Sequence, residues 1–172
     1  MGTLGIKLDF EVANRVAHDM LNELKRVCCD YNIDNAIIAG SLRRLKQYDI
    51  GDIDMILVTT DGLIHPSFTN FLSDELGMAV DAGGSKLVRA LTYANVQFDF
   101  YSCKESELVP MLSYLTGSQS HNIMLRATAR KKGFKLNQTS LIRLSDGAVV
   151  NLSSEPQLYE FLGLNYVDPT RR

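Results

Sequence analysis

The stretch GSLRRLKQYDIGDIDMIL, residues 40–57, places two aspartates where a buried strand normally carries valine or isoleucine. Asp52 and Asp54 open an apolar run rich in β-branched residues, which predicts a strand over residues 52–60. Side chains two residues apart on a strand share a face, so both carboxylates point one way and Ile53 points towards the core. Carboxylates about 7 Å apart repel each other, and they stay ionised together only when cations compensate them.

Asp52 and Asp54 alone favour a strand edge with two solvated side chains, but a third aspartate changes that interpretation. Residues 96–101, VQFDFY, alternate between apolar and polar types, and Asp99 stands alone among large apolar neighbours. If this second strand lies beside the first, three carboxylates converge. Carboxylates and substrate phosphates are the ligands that hold Mg²⁺ in proteins, and paired ions catalyse phosphoryl transfer. Asp52, Asp54 and Asp99 are therefore the predicted catalytic residues and the predicted ligands of two Mg²⁺ ions, or of Mn²⁺ in their place.

A phosphate-binding end is predicted just before the aspartates. Gly40 follows a predicted strand, where glycine lets the backbone approach an anion closely, and Ser41 adds hydroxyl and N–H donors. Arg43 and Arg44 supply charge-assisted donors suited to triphosphate oxygens. Each feature has an ordinary alternative, because Gly-Ser pairs often form turns and paired arginines are often surface residues. Their coincidence beside the aspartates favours a nucleotide site.

Length and composition describe an ordinary globular chain of 172 residues, 45% hydrophobic and 22% charged. No apolar run approaches the roughly 18 residues that span a membrane, and the amino terminus lacks a charged-then-apolar signal pattern. The three cysteines do not suit a disulfide framework, which fits a reducing compartment. We expect an intracellular monomer, cytoplasmic or nuclear, with no membrane partner.

Hydrophobic periodicity and turn residues predict an α/β (α+β) fold. Helices are predicted over residues 8–28, 65–77, 106–117, 118–133 and 153–163. Strands are predicted over residues 35–40, over residues 52–60 and, joined near Ala94-Asn95, twice within residues 85–102. The pattern changes near residues 104–106. We therefore predict a mixed sheet flanked by helices in residues 1–105 and a small α+β unit in residues 106–172.

The charge distribution is uneven although the net charge is only −2. Residues 117–143 contain six basic residues and no acidic one, which leaves 12 basic and 20 acidic residues in the rest of the chain. Four side chains of the predicted helix fall within an arc of about 80°, namely Gln119, Asn122, Arg126 and Arg130. Ile123, Met124 and Ala127 lie on another side and are expected to pack. A solvated face is the ordinary alternative, but the absence of acids favours a nucleic-acid surface.

These motifs resemble those of the X family of DNA polymerases, the polymerase beta group. Gly40-Ser41 with Asp52-Ile53-Asp54 resembles the general nucleotidyltransferase signature, and the paired Arg43-Arg44 points to the X family. Asp99 stands in the place of that family's third metal carboxylate. Further motifs of the family have counterparts at YLTGS (residues 114–118), Asn122, Arg126 and LGLNYVDP (residues 162–169).

The resemblance implies a nucleotidyltransferase palm over residues 1–105 and a thumb over residues 106–172. It implies template-directed transfer of dNMP from a dNTP to the primer 3′-OH of gapped or primer–template DNA, with short-gap filling in base excision repair. Implied nucleotide-binding positions are Gly40, Ser41, Arg44, Gly51, Tyr114, Thr116, Gly117 and Asn122. The predicted DNA-binding residues are Arg126, Arg130, Lys131, Lys132 and Lys135.

The sequence departs from the family pattern at several positions. Leu45 stands where many members have glycine, and Leu115 replaces an aromatic residue. Gln97 stands two residues before Asp99, where many members have arginine, and the cation missing at this position is expected to alter how the primer 3′-OH is positioned. About 35 residues precede the first predicted strand, too few for the family's lyase domain. We therefore expect a minimal palm-and-thumb form without lyase activity, similar to the small viral members.

Two other functions remain open from the sequence. A non-templated nucleotidyltransferase could modify an RNA end or a small molecule, but it has no need of the Asn122 and Arg126 face. A non-enzymatic nucleic-acid-binding module has no need of three carboxylates, and buried aspartates without a function are costly.

Overall fold

A computed structural model of the chain describes residues 5–172. It forms two compact units, Met1–Glu105 and Ser106–Arg172, here called unit 1 and unit 2. Among the described residues, no helix is long and apolar enough to cross a membrane.

Unit 1 is built on a five-stranded mixed sheet. Its helices are α1 (Phe10–Val27), α2 (Gly40–Arg43) and α3 (Phe68–Asn70), the last continued by a π-helical turn (Phe71–Glu75). Its strands are β1 (Ile33–Ile38), β2 (Ile53–Thr59), β3 (Ala79–Gly83), β4 (Leu87–Leu91) and β5 (Gln97–Cys103). The strand order is β1-β2-β5-β4-β3. β2 pairs with β5 in parallel, whereas the other neighbouring pairs are antiparallel.

The core of unit 1 follows from the hydrophobic patterns of its central elements. β2 is buried at every position from Met55 to Thr59, as expected for a central strand covered on both faces. The buried face of α1 lies at helical spacing and consists of Ala13, Ala17, Met20, Leu24 and Val27. Asp9 caps the start of α1 by accepting a hydrogen bond from the backbone N–H of Val12 at 2.9 Å.

Unit 1 differs from the sequence prediction in its irregular parts. The helix predicted over residues 65–77 is shorter and ends in the π-helical turn. The strand β3 was not predicted, because it is an edge strand with mostly exposed side chains and no buried alternation. The strand predicted over residues 35–40 ends at Ile38, and Gly40 instead begins the short helix α2.

Unit 2 combines three helices with a three-stranded antiparallel sheet. Its helices are α4 (Leu108–Thr116), α5 (Gln119–Lys131) and α6 (Glu155–Phe161). Its strands are β6 (Phe134–Leu136), β7 (Leu141–Arg143) and β8 (Val149–Val150), in that order in the sheet. The core includes Leu125, Leu141, Leu158 and Tyr159.

The packing face predicted for α5 is wrong. Ile123, Met124 and Ala127 are exposed, and the buried residues are His121, Leu125 and Ala129, spaced four apart. His121 is buried, and its imidazole hydrogen-bonds the hydroxyl of Tyr159, which provides a partner for this polar side chain. Because one of the three buried positions is a histidine, the buried face of the helix does not show an apolar pattern in the sequence.

Leu45 adopts a left-handed backbone conformation, with φ 54°, which is unusual for a residue other than glycine. This conformation costs a non-glycine residue about 1–2 kcal/mol, and the Leu45 side chain is 49% exposed, so it contributes little packing. Leu45→Gly should therefore raise the free energy of unfolding by about 0.5–1 kcal/mol in urea denaturation, after glycine's larger unfolded-state entropy is subtracted. Leu45→Ala is the control, because it removes the side chain but keeps the unfavourable φ. Equal stability of the two variants would contradict this account.

Candidate active site

The parallel pairing of β2 and β5 brings the aspartates together. Asp54 lies directly opposite Asp99 in the register of the two strands. The strand was predicted to start at Asp52 but starts at Ile53, so Asp52 occupies the residue immediately before it. Ile53 is buried, with 1% of its surface exposed, as its position between the two aspartates predicted.

The three carboxylates share one electrostatic environment. Burial, followed by the negative charges of Asp52 and Asp99, raises the pKa of Asp54 to about 7. The pKa of Asp52 is also raised, first by burial and then by the charge of Asp99. Arg44 and Arg89 oppose these shifts with their positive charges but do not cancel them. The protein therefore holds more negative charge here than its own cations compensate.

Gly40 fits closely against this cluster. Ala39, the residue before it, donates its backbone N–H to the carbonyl oxygen of Asp54 at 2.9 Å, which ties α2 to the start of β2. Gly40 has φ 65°, and a Cβ atom at this position would overlap the Asp54 carboxylate. Glycine is thus required both by backbone conformation and by space. Ser41 and Arg44 follow it, so the predicted phosphate-binding residues begin at the cluster.

Arg89 is the residue of this site that sequence reasoning missed. It lies opposite Asp99 on the neighbouring strand β4, and its Nε and Nη2 donate to the two Asp99 oxygens at 2.8 and 2.7 Å. Arg89 therefore supplies a cation beside Asp99, although Gln97 itself carries no charge. A signal existed in the sequence, since Arg89 and Asp99 lie five residues on either side of Ala94 in the predicted turn.

The chemistry of these residues fits a hard divalent cation. Asp52 and Asp54 are carboxylates whose ionised forms are destabilised in the protein alone, and an added cation relieves that cost. Within residues 5–172, no three His, Cys, Asp or Glu side chains are gathered in an arrangement that could hold a metal ion. In this structure Asp99 forms an ion pair with Arg89. The negative charges of Asp52 and Asp54 are therefore the ones that the protein's own cations compensate least.

Unit 2 brings together three of the predicted nucleotide and template residues. Asn122 donates its side-chain N–H to the carbonyl oxygen of Tyr114 at 2.7 Å. The guanidinium of Arg126 lies over the ring of Tyr114, 5.1 Å from its centroid. Thr116 is buried at the end of α4, and Gly117 terminates that helix with φ 67°. These contacts hold Tyr114, Asn122 and Arg126 in one network.

The predicted DNA-binding residues divide into two groups. Arg126, Arg130 and Lys135 line a pocket of about 360 Å³ whose apolar lining is Phe134, Leu136 and Leu144. Lys132 lies away from that lining, with its Nζ beside the backbone of Gly163, and Lys131 is exposed. Three cations around an apolar floor can contact both a phosphate and a base.

Comparisons with known proteins agree with these features. A family model described as DNA polymerase beta thumb matches residues 111–172. Repair DNA polymerase X of African swine fever virus is 25% identical over 172 residues, which cover 98% of this chain and 96% of the viral protein. DNA polymerase/3′-5′ exonuclease PolX of Bacillus subtilis is 28% identical over 138 residues, 78% of this chain and 23% of that protein. DNA polymerase lambda of Arabidopsis thaliana is 26% identical over 211 residues, 98% of this chain and 38% of the plant protein.

The raised pKa of Asp54 predicts a pH-dependent gain in stability when its charge is removed. An aspartate with a normal unfolded pKa and a folded pKa of about 7 makes the metal-free protein less stable as pH rises between these values. Asp54→Asn should therefore stabilise the protein by roughly 2 kcal/mol at pH 8, allowing for solvent screening, and much less at pH 4. Urea denaturation with a chelator at both pH values measures the difference. A gain that is the same at both pH values would contradict a buried, uncompensated carboxylate.

Proposed function

We propose that this chain, which is similar to DNA polymerases X and lambda, is a template-directed DNA polymerase that fills short gaps during DNA repair. The observation that carries the proposal is the register of β2 and β5, which sets Asp54 beside Asp99, with Asp52 two residues before Asp54. The chain spans 96% of the viral repair polymerase, although only 23% of the bacterial relative and 38% of the plant relative.

The residues of unit 1 suit the reacting end of a dNTP and a primer. In the proposal, Asp52, Asp54 and Asp99 hold two Mg²⁺ ions, which when bound lower the pKa of the primer 3′-OH and neutralise the triphosphate. The lack of a side chain at Gly40 lets the Asp54 carboxylate lie directly against the backbone that precedes Ser41. Ser41, Arg44 and Gly51 hold the triphosphate, with Arg44 supplying positive charge close to the aspartates.

The residues of unit 2 suit the sugar, the base and the template strand. In the proposal, Tyr114, Thr116 and Gly117 flank the sugar of the dNTP, and Asn122 and Arg126 reach the nascent base pair. The network among Tyr114, Asn122 and Arg126 supports this role, because it fixes three side chains before substrate binds. The remaining basic residues make ionic contacts with the phosphates of the DNA in this proposal; they are Arg130, Lys131, Lys132 and Lys135.

The competing functions make different demands on the chain. A nucleotidyltransferase acting on an RNA end or a small molecule needs the aspartates but not the Tyr114, Asn122 and Arg126 network. A nucleic-acid-binding module without activity needs the basic pocket but gains nothing from Asp54, whose burial and neighbours raise its pKa to about 7. The templated polymerase is the function that uses both units.

The test is single-nucleotide extension on gapped and ungapped primer–templates with each dNTP separately and Mg²⁺. We expect the incorporated nucleotide to follow the templating base, with more product on the gapped substrate. Asp99→Ala and Asp99→Asn should lower extension by at least about 10³-fold, because one of the three carboxylates that would hold the catalytic ions is lost. Asp74→Ala removes an exposed carboxylate of the same unit and should leave extension unchanged.

Two outcomes would contradict the proposal. Incorporation that is independent of the templating base would favour the non-templated alternative. Normal extension by folded Asp99 variants, with folding checked by circular dichroism, would exclude the catalytic role of the aspartates.

A further inference from the structure

We propose that Arg89 and Gln97 are positioning residues that leave Asp99 with a single open coordination position. The inference rests on the proposed function, because it concerns how Asp99 takes part in metal binding. Its basis is the hydrogen bonding around one carboxylate, which is 2% exposed and buried at the start of β5.

The donors around Asp99 occupy most of its acceptor sites. Oδ1 accepts from Arg89 Nε at 2.8 Å and from Gln97 Nε2 at 3.1 Å. Oδ2 accepts from Arg89 Nη2 at 2.7 Å. A carboxylate has two oxygens with about four lone-pair sites in total, so three are in use and the fourth lies on Oδ2. Asp99 can therefore offer one oxygen to one ion and cannot chelate an ion with both.

The sheet register builds this arrangement into the fold. Arg89 faces Asp99 across the antiparallel pair β4–β5, and Gln97 faces Leu91 two pairs nearer the turn. Gln97 and Asp99 lie two residues apart on β5 and so share a face. The planar guanidinium of Arg89 donates to both oxygens of Asp99 at once. It therefore fixes the plane of the carboxylate and also compensates its charge. A lysine at position 89 could supply the positive charge but could not fix the plane of the Asp99 carboxylate.

Arg89 also lowers the negative charge that an approaching ion meets. Its side chain is 17% exposed, and the strong hydrogen bond to Asp99 raises the pKa of the guanidinium far above its usual value, so it stays charged. Arg89 thus offsets the negative charge of Asp99 within the cluster of Asp52, Asp54 and Asp99. Arg89 should weaken metal binding in the absence of nucleotide while it improves the geometry of catalysis. Loss of a positioning residue should therefore change metal affinity and reaction rate in opposite directions. Loss of a residue that only supports the fold should lower both.

The experiment compares four proteins: wild type, Arg89→Gln, the exchange Arg89→Gln/Gln97→Arg, and Arg26→Gln. Arg26→Gln is the charge-matched control, because Arg26 is an exposed arginine of unit 1 that pairs with Glu23 and Glu75. Mn²⁺ affinity is measured by electron paramagnetic resonance of free Mn²⁺, without DNA or nucleotide. The single-turnover rate of nucleotide incorporation and the metal-free unfolding midpoint are measured on the same preparations.

For Arg89→Gln we expect Mn²⁺ binding to become about tenfold tighter, because a positive charge near the ion is lost. We expect incorporation to become at least about tenfold slower, because the Asp99 carboxylate is free to rotate. The exchange variant restores an arginine beside Asp99 and should return both values towards wild type. Arg26→Gln should match wild type in both.

The inference is overturned if Arg89→Gln binds Mn²⁺ no more tightly than wild type, or if metal binding and rate fall together with the unfolding midpoint. If Arg89→Gln does not fold, the exchange variant decides, and a folded exchange variant with a slow rate overturns the inference. Failure of wild type itself to bind Mn²⁺ would instead count against the proposed metal-dependent function.

Discussion

The parallel pairing of β2 with β5 is the constraint on which the site depends. It sets Asp54 beside Asp99 at one end of the sheet, with Asp52 one residue before the strand. Burial and mutual repulsion then raise the pKa of Asp54 to about 7. The same sheet compensates part of this negative charge, because the antiparallel neighbour β4 places Arg89 against Asp99. What remains uncompensated is the charge of Asp52 and Asp54, which in the proposed function is the part that metal ions neutralise.

Several features near the site lower stability in exchange for geometry. Gly40 takes a left-handed conformation so that no side chain occupies the space beside Asp54. Leu45 takes a similar conformation without the advantage of glycine, at the start of the exposed loop that leads to Asp52. Such local costs are typical of functional sites, where the surrounding sheet supplies the stability that the site lacks. In unit 1 that surrounding stability comes from a central strand and a helix whose buried faces are almost entirely apolar.

The sequence predicted the parts that depend on local pattern. Periodicity located α1, α4 and α5 to within a few residues, and the alternation around Asp99 indicated the strand that carries it. It failed where tertiary contacts decide. Arg89 was missed because recognising it requires the pairing register across a turn. The packing face of α5 was wrong because it includes the polar residue His121, whose hydrogen-bond partner Tyr159 lies 38 residues away. The edge strand β3 was not predicted because its side chains are mostly exposed and show no alternation of apolar and polar residues.

The most direct test of the account is a crystal structure of the protein with Mn²⁺ and a dNTP, with ions located by their anomalous scattering. The account predicts anomalous peaks within coordination distance of Asp52 and Asp54, with Asp99 contributing one oxygen while Arg89 still holds its carboxylate. Peaks absent from these aspartates would contradict the proposed role of the β2–β5 pairing. An Asp99 that binds an ion through both oxygens, released from Arg89, would contradict the positioning role of Arg89.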